Sequence, residues 1–563
     1  LAVLAALVCL ACYAATYRFY AGYLSSRIFS LRADVETPAH QLRDEIDYVP
    51  APRGVLFGHH FASITGLSPM LGPAIAVIWG WLPAMIWVVG GSLFIGCVHD
   101  MSALVLSVRA RGLSVGAITE GIIGARAKTM FHVVIFFGVA LAMGVFVSIL
   151  CDLFMPGAYP QAVMPSAVIM ALAVVTGVAS YKRGVSMTRL ATAAFGITLL
   201  AVFLAATNDW MSPQWDSRGG WGALLLAYAF GASVLPVWLL LQPRDFINSL
   251  LLYLGMGLMY GGFFLLAPEF SSPAVVLNPE GAPPMFPFVF VVIACGAVSG
   301  FHGLVASGTT AKQLDRETDA RAIGYGGMMG ESLLGLMAVL ACTAGFSSAG
   351  SWHEHYSSWG AANTLGGKLG VFIEGGARFV STLGLPSELS TALISVVVVS
   401  FALTTLDSAT RLLRYNIAEM GQGLGVKSEN RFVTSALAVL VIGFFAFYQV
   451  DGKPMGLTLW GLFGTTNQLL ASLTLILVSL YLYQRGRNAL VAAVPAVFMT
   501  ITTVVAMVNN LGRFYDAGQH LLFAVGLLLL LLALGIVGEG LRALRRATTD
   551  RAAGPPVNRL SVF

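Results

Sequence analysis

Residues 56–80, LFGHHFASITGLSPMLGPAIAVIWG, are apolar enough and long enough to cross a bilayer, yet they carry features a lipid-facing helix has no use for. His59 and His60 are adjacent, and Gly66, Pro69, Gly72 and Pro73 interrupt the helical pattern. Imidazoles at membrane depth must face protein, water or a ligand. Irregular backbone is tolerated there only where it lines a cavity or is covered by protein. An interrupted span therefore points to a binding site at the interruption. The plainer alternative is a Pro-kinked helix with packed histidines.

The rest of the chain sets this stretch in a membrane. Only 10% of the 563 residues are charged and 57% are hydrophobic, against roughly 25% charged in a soluble domain, and the mean hydropathy is +0.80. The apolar runs exceed the roughly 20 residues of a helical span, where barrel strands would be half as long and alternate in polarity. The expected class is an all-α polytopic membrane protein. Its six cysteines are scattered through apolar segments and indicate neither a zinc knuckle nor a disulfide framework. The net charge of +5 is no sign of nucleic-acid binding, because the basic residues sit in loops, where they set orientation.

About fifteen spans are expected, near 2–26, 56–79, 82–107, 130–151, 162–180, 187–207, 221–241, 247–267, 286–310, 325–347, 390–410, 432–450, 457–483, 489–509 and 519–541. The first is read as a retained helix, not a cleaved signal. The segment 349–388 is amphipathic and reads as an external loop with an interfacial or re-entrant helix. Assigning alternate loops to one face collects 26 of the 32 Lys and Arg there, among them Lys427 and Arg559. Cytoplasmic loops are enriched in Lys and Arg, which places the N-terminus outside and the C-terminus inside.

Span 221–241, WGALLLAYAFGASVLPVWLLL, reads as a second interrupted helix, with Gly231, Ala232, Ser233 and Pro236. It lies five spans after the first. Two interrupted helices at corresponding positions of oppositely directed halves predict a leucine-transporter-like 5+5 inverted-repeat core. The divisions that follow are 1–54 (first helix and connection), 55–220 and 221–425 (the two five-helix repeats) and 426–563 (C-terminal helices and basic tail).

At such breaks the N-termini of half-helices offer partial positive charge to an anionic group. A substrate carboxylate would fit Gly66, Ser68 and Gly72, and Ser233, Val234 and Leu235. Histidine titrates near neutral pH, and chains of Asp, Glu and His carry protons in carriers, so His59, His60, Asp100 and His302 are the proton-coupling candidates. Asp100 is singled out because no partner lies within one turn, whereas Asp407 has Arg411 at i+4. His132, Glu331 and Glu419 are further ionisable groups at membrane depth. By span count, 286–310 matches the core helix that gives hydroxyl ligands to sodium in the leucine-transporter fold, which makes Ser307, Thr309 and Thr310 candidates. The glycines of that span read as helix-packing positions. Adjacent histidines point about 100° apart on a helix, so His59 and His60 would share a metal with His302 only on unwound backbone. No GxxxxGK[ST] loop is present, so nothing supports a nucleotide-driven pump, and the expectation is a carrier driven by an ion gradient, or a channel or facilitator.

The motifs DYVPAPRGVLFGHHFASITGLSPMLGPAIA (47–76), LPVWLLLQPRDF (235–246), FPFVFVVIACGAVSGFHGLVASGTTAKQL (286–314), IGYGGMMGES (323–332), TTLDSATR (404–411) and LWGLFGTTNQLLA (459–471) resemble the carbon starvation protein A family of bacterial inner-membrane transporters. The resemblance implies an ion-coupled carrier, with H⁺ or Na⁺ as coupling ion and no cofactor, that imports short peptides or pyruvate-like carboxylates during carbon starvation. Its partners would be that substrate and membrane lipid. The broken spans hold no Asp or Glu to meet a peptide amine, which favours a simple anion. The rival classes are a membrane nutrient sensor or receptor and a metal-dependent membrane enzyme.

Overall fold

The structure is a computed structural model that describes residues 1–362, 365–423, 425, 430–450 and 452–552. Lys427 and Arg559, both counted on the basic face, lie outside the described residues. Apart from a two-residue hairpin, the chain is helical. Among the described residues, eleven helices are long and apolar enough to cross a membrane, and twelve if one bent pair counts as a span.

In chain order the helices that build the bundle begin with α1 (Ala2–Ile28), the bent pair α2 (Arg53–Thr65) and α3 (Ser68–Trp79), α4 (Trp81–Arg109), α5 (Ala125–Phe154), α6 (Pro160–Arg183), α7 (Met187–Thr207), the shorter α8 (Arg218–Val234) and α9 (Leu241–Leu266). Then come three short pieces, α10 (Met285–Val292), α11 (Ala294–Ala297) and α12 (Gly300–Gly308), followed by α13 (Glu317–Ala344). The remainder are α14 (Leu365–Ser381), α15 (Ser387–Gly423), α16 (Arg431–Phe447), α17 (Met455–Gln484), α18 (Leu490–Asp516) and α19 (His520–Thr549). The three other predicted spans, 221–241, 286–310 and 432–450, fall on α8, on α10–α12 and on α16. Each is helical, but none is a single apolar helix of full span length.

The first interruption is where the sequence placed it. The helix bends by 44° between α2 and α3. Gly66 turns the corner at φ +46°, and a Cβ there would stand 2.7 Å from the Thr405 hydroxyl; only glycine combines that torsion with that contact. Pro69 sits in the first turn of α3, where its missing N–H leaves nothing unsatisfied.

The second interruption is not where the sequence placed it. Gly231, Ala232 and Ser233 belong to regular helix, and α8 ends at Val234. Leu235 is extended, with φ −71° and ψ 149°, because the ring of Pro236 disfavours helical backbone in the residue before it. The chain then turns into α9, so 235–240 connects two helices. The broken element of the later part is α10–α12. Val298 (φ −151°, ψ 117°) and Ser299 (φ −124°, ψ 128°) are extended in its middle.

Helix α14 does not stand apart from the bundle. Its apolar face, with Phe372, Ile373, Phe379 and Val380 fully buried, packs on α3, α9, α13 and α15.

Candidate functional site

The two interruptions meet. A Cβ on Gly72 of α3 would lie 2.6 Å from the Val292 carbonyl at the end of α10, and Gly296 of α11 faces Pro69 and Pro73. Such close approach needs the bare backbone of glycine. Asn467 of α17 secures the second break. Its Oδ1 accepts from the Phe301 N–H and the Ser299 hydroxyl, each at 3.1 Å, which caps α12, while its amide donates to Cys295 Sγ at 3.0 Å.

Two cavities adjoin this contact. A vestibule of about 380 Å³ is lined by Ser68, Leu71, Gly72 and Ile75 of α3, by Val292 and Cys295 of the second break, and by side chains of α14, α17 and α18. A smaller cavity of about 30 Å³ lies next to Thr65, Gly66, Ser68, Cys295 and Asn467, room for about one water. Ser68, Cys295 and Phe463 line both, so they form the partition between them. The predicted residues Gly66, Ser68 and Gly72 thus surround one place. Ser233, Val234 and Leu235 line neither cavity: the Ser233 hydroxyl lies 3.0 Å from that of Ser435, and the Leu235 carbonyl accepts from Arg411.

The ionisable groups form two buried clusters beside the cavities. In one, Asp100 of α4 lies 2.7 Å from His99 Nδ1 and 2.9 Å from His302 Nδ1 of α12. The other ring nitrogen of His302 stands 2.9 Å from Glu331 of α13, an ion-pair distance without hydrogen-bond alignment. Asp100 therefore has two partners, one of them its own neighbour, although none was expected within a turn. In the other cluster, His59 Nδ1 of α2 contacts Asp245 of α9 at 2.5 Å, and Arg244 donates to Asp245 at 2.5 Å and pairs with Asp407 of α15. Tyr228 of α8 donates to Asp407 and accepts from Arg244. The expected Asp407–Arg411 pair is absent. Arg411 instead binds Asp47, at 2.6 Å.

His60 turns away from His59, to Thr310 Oγ1 at 2.9 Å. The divergence follows from the regular helix that α2 forms through both residues. The three hydroxyls proposed for sodium do not converge. Ser307 Oγ accepts from the Val115 N–H and donates to the Gly303 carbonyl, Thr309 donates to its own helix, and Thr310 is taken by His60. Hydroxyls do collect at the first break: Thr404 donates to the Ala62 carbonyl, Thr405 to that of Ser63, and the Ser63 and Ser408 hydroxyls are 2.9 Å apart. Thr404, Thr405 and Ser408 were not singled out in sequence, although they lie in TTLDSATR. Arg244, Asp245 and Asn467 were also passed over, inside LPVWLLLQPRDF and LWGLFGTTNQLLA.

The face that carries the basic loops is closed by charge. Arg411 and Arg414 both reach Asp47, at 2.6 and 3.2 Å, and Arg109 binds Glu317 at 2.7 Å. Burial raises the Asp47 carboxyl, but Arg411, Arg414 and Lys312 outweigh it and hold it well below the usual carboxylate range.

A family model described as carbon starvation protein CstA matches residues 1–350 and 351–506. The chain is 32% identical over 574 residues to the peptide transporter CstA of Escherichia coli, covering 90% of this chain and 80% of that one. It is 33% identical to the peptide transporter CstA of Mycobacterium tuberculosis, covering 87% and 73%. It is 30% identical over 603 residues to the pyruvate/proton symporter BtsT of E. coli, covering 90% and 82%. Among solved structures, a manganese transporter of Eremococcus coleocola superposes with a TM-score of 0.49 at 13% identity, covering 90% of this chain and 99% of that one.

Proposed function

The chain belongs to the carbon starvation protein CstA family, and on that premise we propose that it is a proton-coupled secondary carrier importing a small carboxylate-bearing nutrient, a pyruvate-like acid or a short peptide. The relatives named peptide transporter and pyruvate/proton symporter supply the two substrate classes. The observation that carries the reading is the meeting of two interrupted helices at a partition between a larger vestibule and a smaller cavity.

In the proposed cycle the substrate carboxylate settles at Ser68 and Gly72, over the first turn of α3. A proton is loaded on the clusters of His59, His60, Asp100 and His302. The vestibule then closes and the basic face opens. That face is the cytoplasmic side of a bacterial inner membrane on the charge bias of the loops, with the N-terminus outside. The halves are inverted repeats in which α2/α3 and α10–α12 correspond, and α7 and α8 are inserted within the first. Counting alternate crossings, α2/α3 and α10–α12 run in opposite directions, as such repeats require. Proton coupling is preferred to sodium because the buried polar clusters are built of His, Asp and Glu, while Ser307, Thr309 and Thr310 are engaged elsewhere.

The test is uptake of labelled pyruvate and of labelled alanylalanine into proteoliposomes under an imposed proton or sodium gradient. Accumulation of pyruvate or the dipeptide driven by the proton gradient is the expected result. Accumulation driven only by sodium would overturn the coupling, and no flux of either from folded protein would return the chain to the receptor reading.

A further inference from the structure

Lys368 of α14 lines the vestibule and is only 4% exposed. Among the described residues no carboxylate pairs with it. An ammonium buried without a counter-charge is unfavourable, and burial lowers its pKa only to about 8. Across the same space lie Ser68 and Gly72 in the first turns of α3, and Arg513 of α18 stands at the rim. Trp359, Trp460 and Phe463 give the wall its apolar area, and among the described residues neither Asp nor Glu lines it. Glu374 of α14 and Asp516 of α18 are exposed, Asp100, Asp245 and Glu331 are engaged by histidine or arginine, and none of the five lines either cavity.

We propose that Lys368 is the carboxylate anchor of the vestibule and that it restricts the carrier to small organic acids bearing one carboxylate and no amine. The inference rests on the carrier reading above and chooses between its two substrate classes. An anion entering the vestibule pairs with Lys368 on one side and the positive end of α3 on the other. A zwitterionic peptide finds the same anchor for its carboxylate but leaves its ammonium stripped of water and facing aromatic walls and two cations.

The test uses the full chain in nanodiscs, with pyruvate, alanylalanine and uncharged methyl pyruvate as probes. Binding is followed by intrinsic tryptophan fluorescence, to which Trp359 and Trp460 of the vestibule wall contribute, and proton-driven uptake is measured in parallel. Pyruvate is expected to bind at least tenfold more tightly than either other probe. Lys368→Met should weaken pyruvate binding at least tenfold without loss of monodisperse folded protein, since it removes a buried charge that has no partner. Lys368→Arg should stay within about threefold of the parent. Between pH 7 and 9 the parent should lose affinity as the ammonium deprotonates, and the arginine variant should not. Pyruvate binding unchanged in Lys368→Met, or alanylalanine bound more tightly than pyruvate by the parent, overturns the anchor while leaving a carrier. Failure of the parent to bind or accumulate any probe removes the carrier reading and the anchor with it.

Discussion

At the scale of single residues, His302 sits between two carboxylates contributed by different helices, Asp100 at 2.9 Å and Glu331 at 2.9 Å. Such a group can take up or release a proton while its charge stays compensated, which suits a relay. Glu331→Gln keeps the shape and removes one charge. Proton-driven accumulation should fall at least tenfold while pyruvate counterflow, which needs no net proton movement, is retained; equal accumulation by variant and parent would sink the relay. Arg244 has a different standing. It is fully buried and neutralises Asp245 and Asp407 together. Removing one member of such a cluster strands the others, so Arg244→Ala should destabilise the fold by about 3–5 kcal/mol, read as a large drop in melting temperature in detergent. His59, Asp100, His302, Glu331 and Asp407 were legible in sequence because a histidine or carboxylate at membrane depth cannot hide, whereas Tyr228, Arg244 and Asp245 were passed over. Nor were the pairings legible. Asp407 and Arg411 are spaced as helical neighbours, yet Arg244 and Asp47 from distant segments claim them, and i,i+4 spacing carries no information about a tertiary competitor.

At the scale of elements, the first broken helix was readable because Gly66 and Pro69 punctuate it, whereas the second was not. Pro236 with Gly231 looked like a break and is a helix end. The real break at Val298 and Ser299 has no proline, and its glycines read as ordinary packing positions. Gly296 does pack, but against the other broken helix, while Gly300 and Gly303 pack on α17 and α4 and Gly308 on α15. The contact of Gly72 with the second break is, like that of Gly300, close to backbone. A methyl group at position 72 would press within 2.6 Å of backbone at Val292, and backbone yields less readily than a side chain. Gly72→Ala should therefore cost about 1–3 kcal/mol of stability and abolish uptake, even though alanine is otherwise favourable in a helix. Thermal unfolding and transport measured on the same preparation would check it. Stability kept and transport kept would mean that the two breaks need not touch.

At the scale of the whole molecule, one face is open and the other is locked. Ser387 begins α15, and Arg411 lies 24 residues further along the same helix, ~36 Å at the usual rise, so the Asp47–Arg411–Arg414 pairs stand about a membrane thickness from the start of α15. The lock does not respond to physiological pH. The folded Asp47 carboxyl is depressed below its ordinary value, so its contribution is fully present above pH ~4 and fades only as pH falls through the lower folded value. Proton dependence of transport must then come from the histidine clusters, and opening of the basic face must break the pairs mechanically. Asp47→Asn removes the negative partner and weakens closure by about 1.5–3 kcal/mol, a ten- to hundredfold gain in the open-inward population. Cys295 reports it, because its thiol lines the partition between the cavities. Cys9 and Cys12, a closely spaced pair of free thiols on α1, are first replaced by serine. In the parent, a small charged thiol reagent should reach Cys295 from the vestibule face alone, with pyruvate slowing the reaction. In Asp47→Asn, labelling from the basic face should rise at least tenfold. If it stays at the parent level, the lock is ornament to a face held shut by Arg109–Glu317 and by apolar packing.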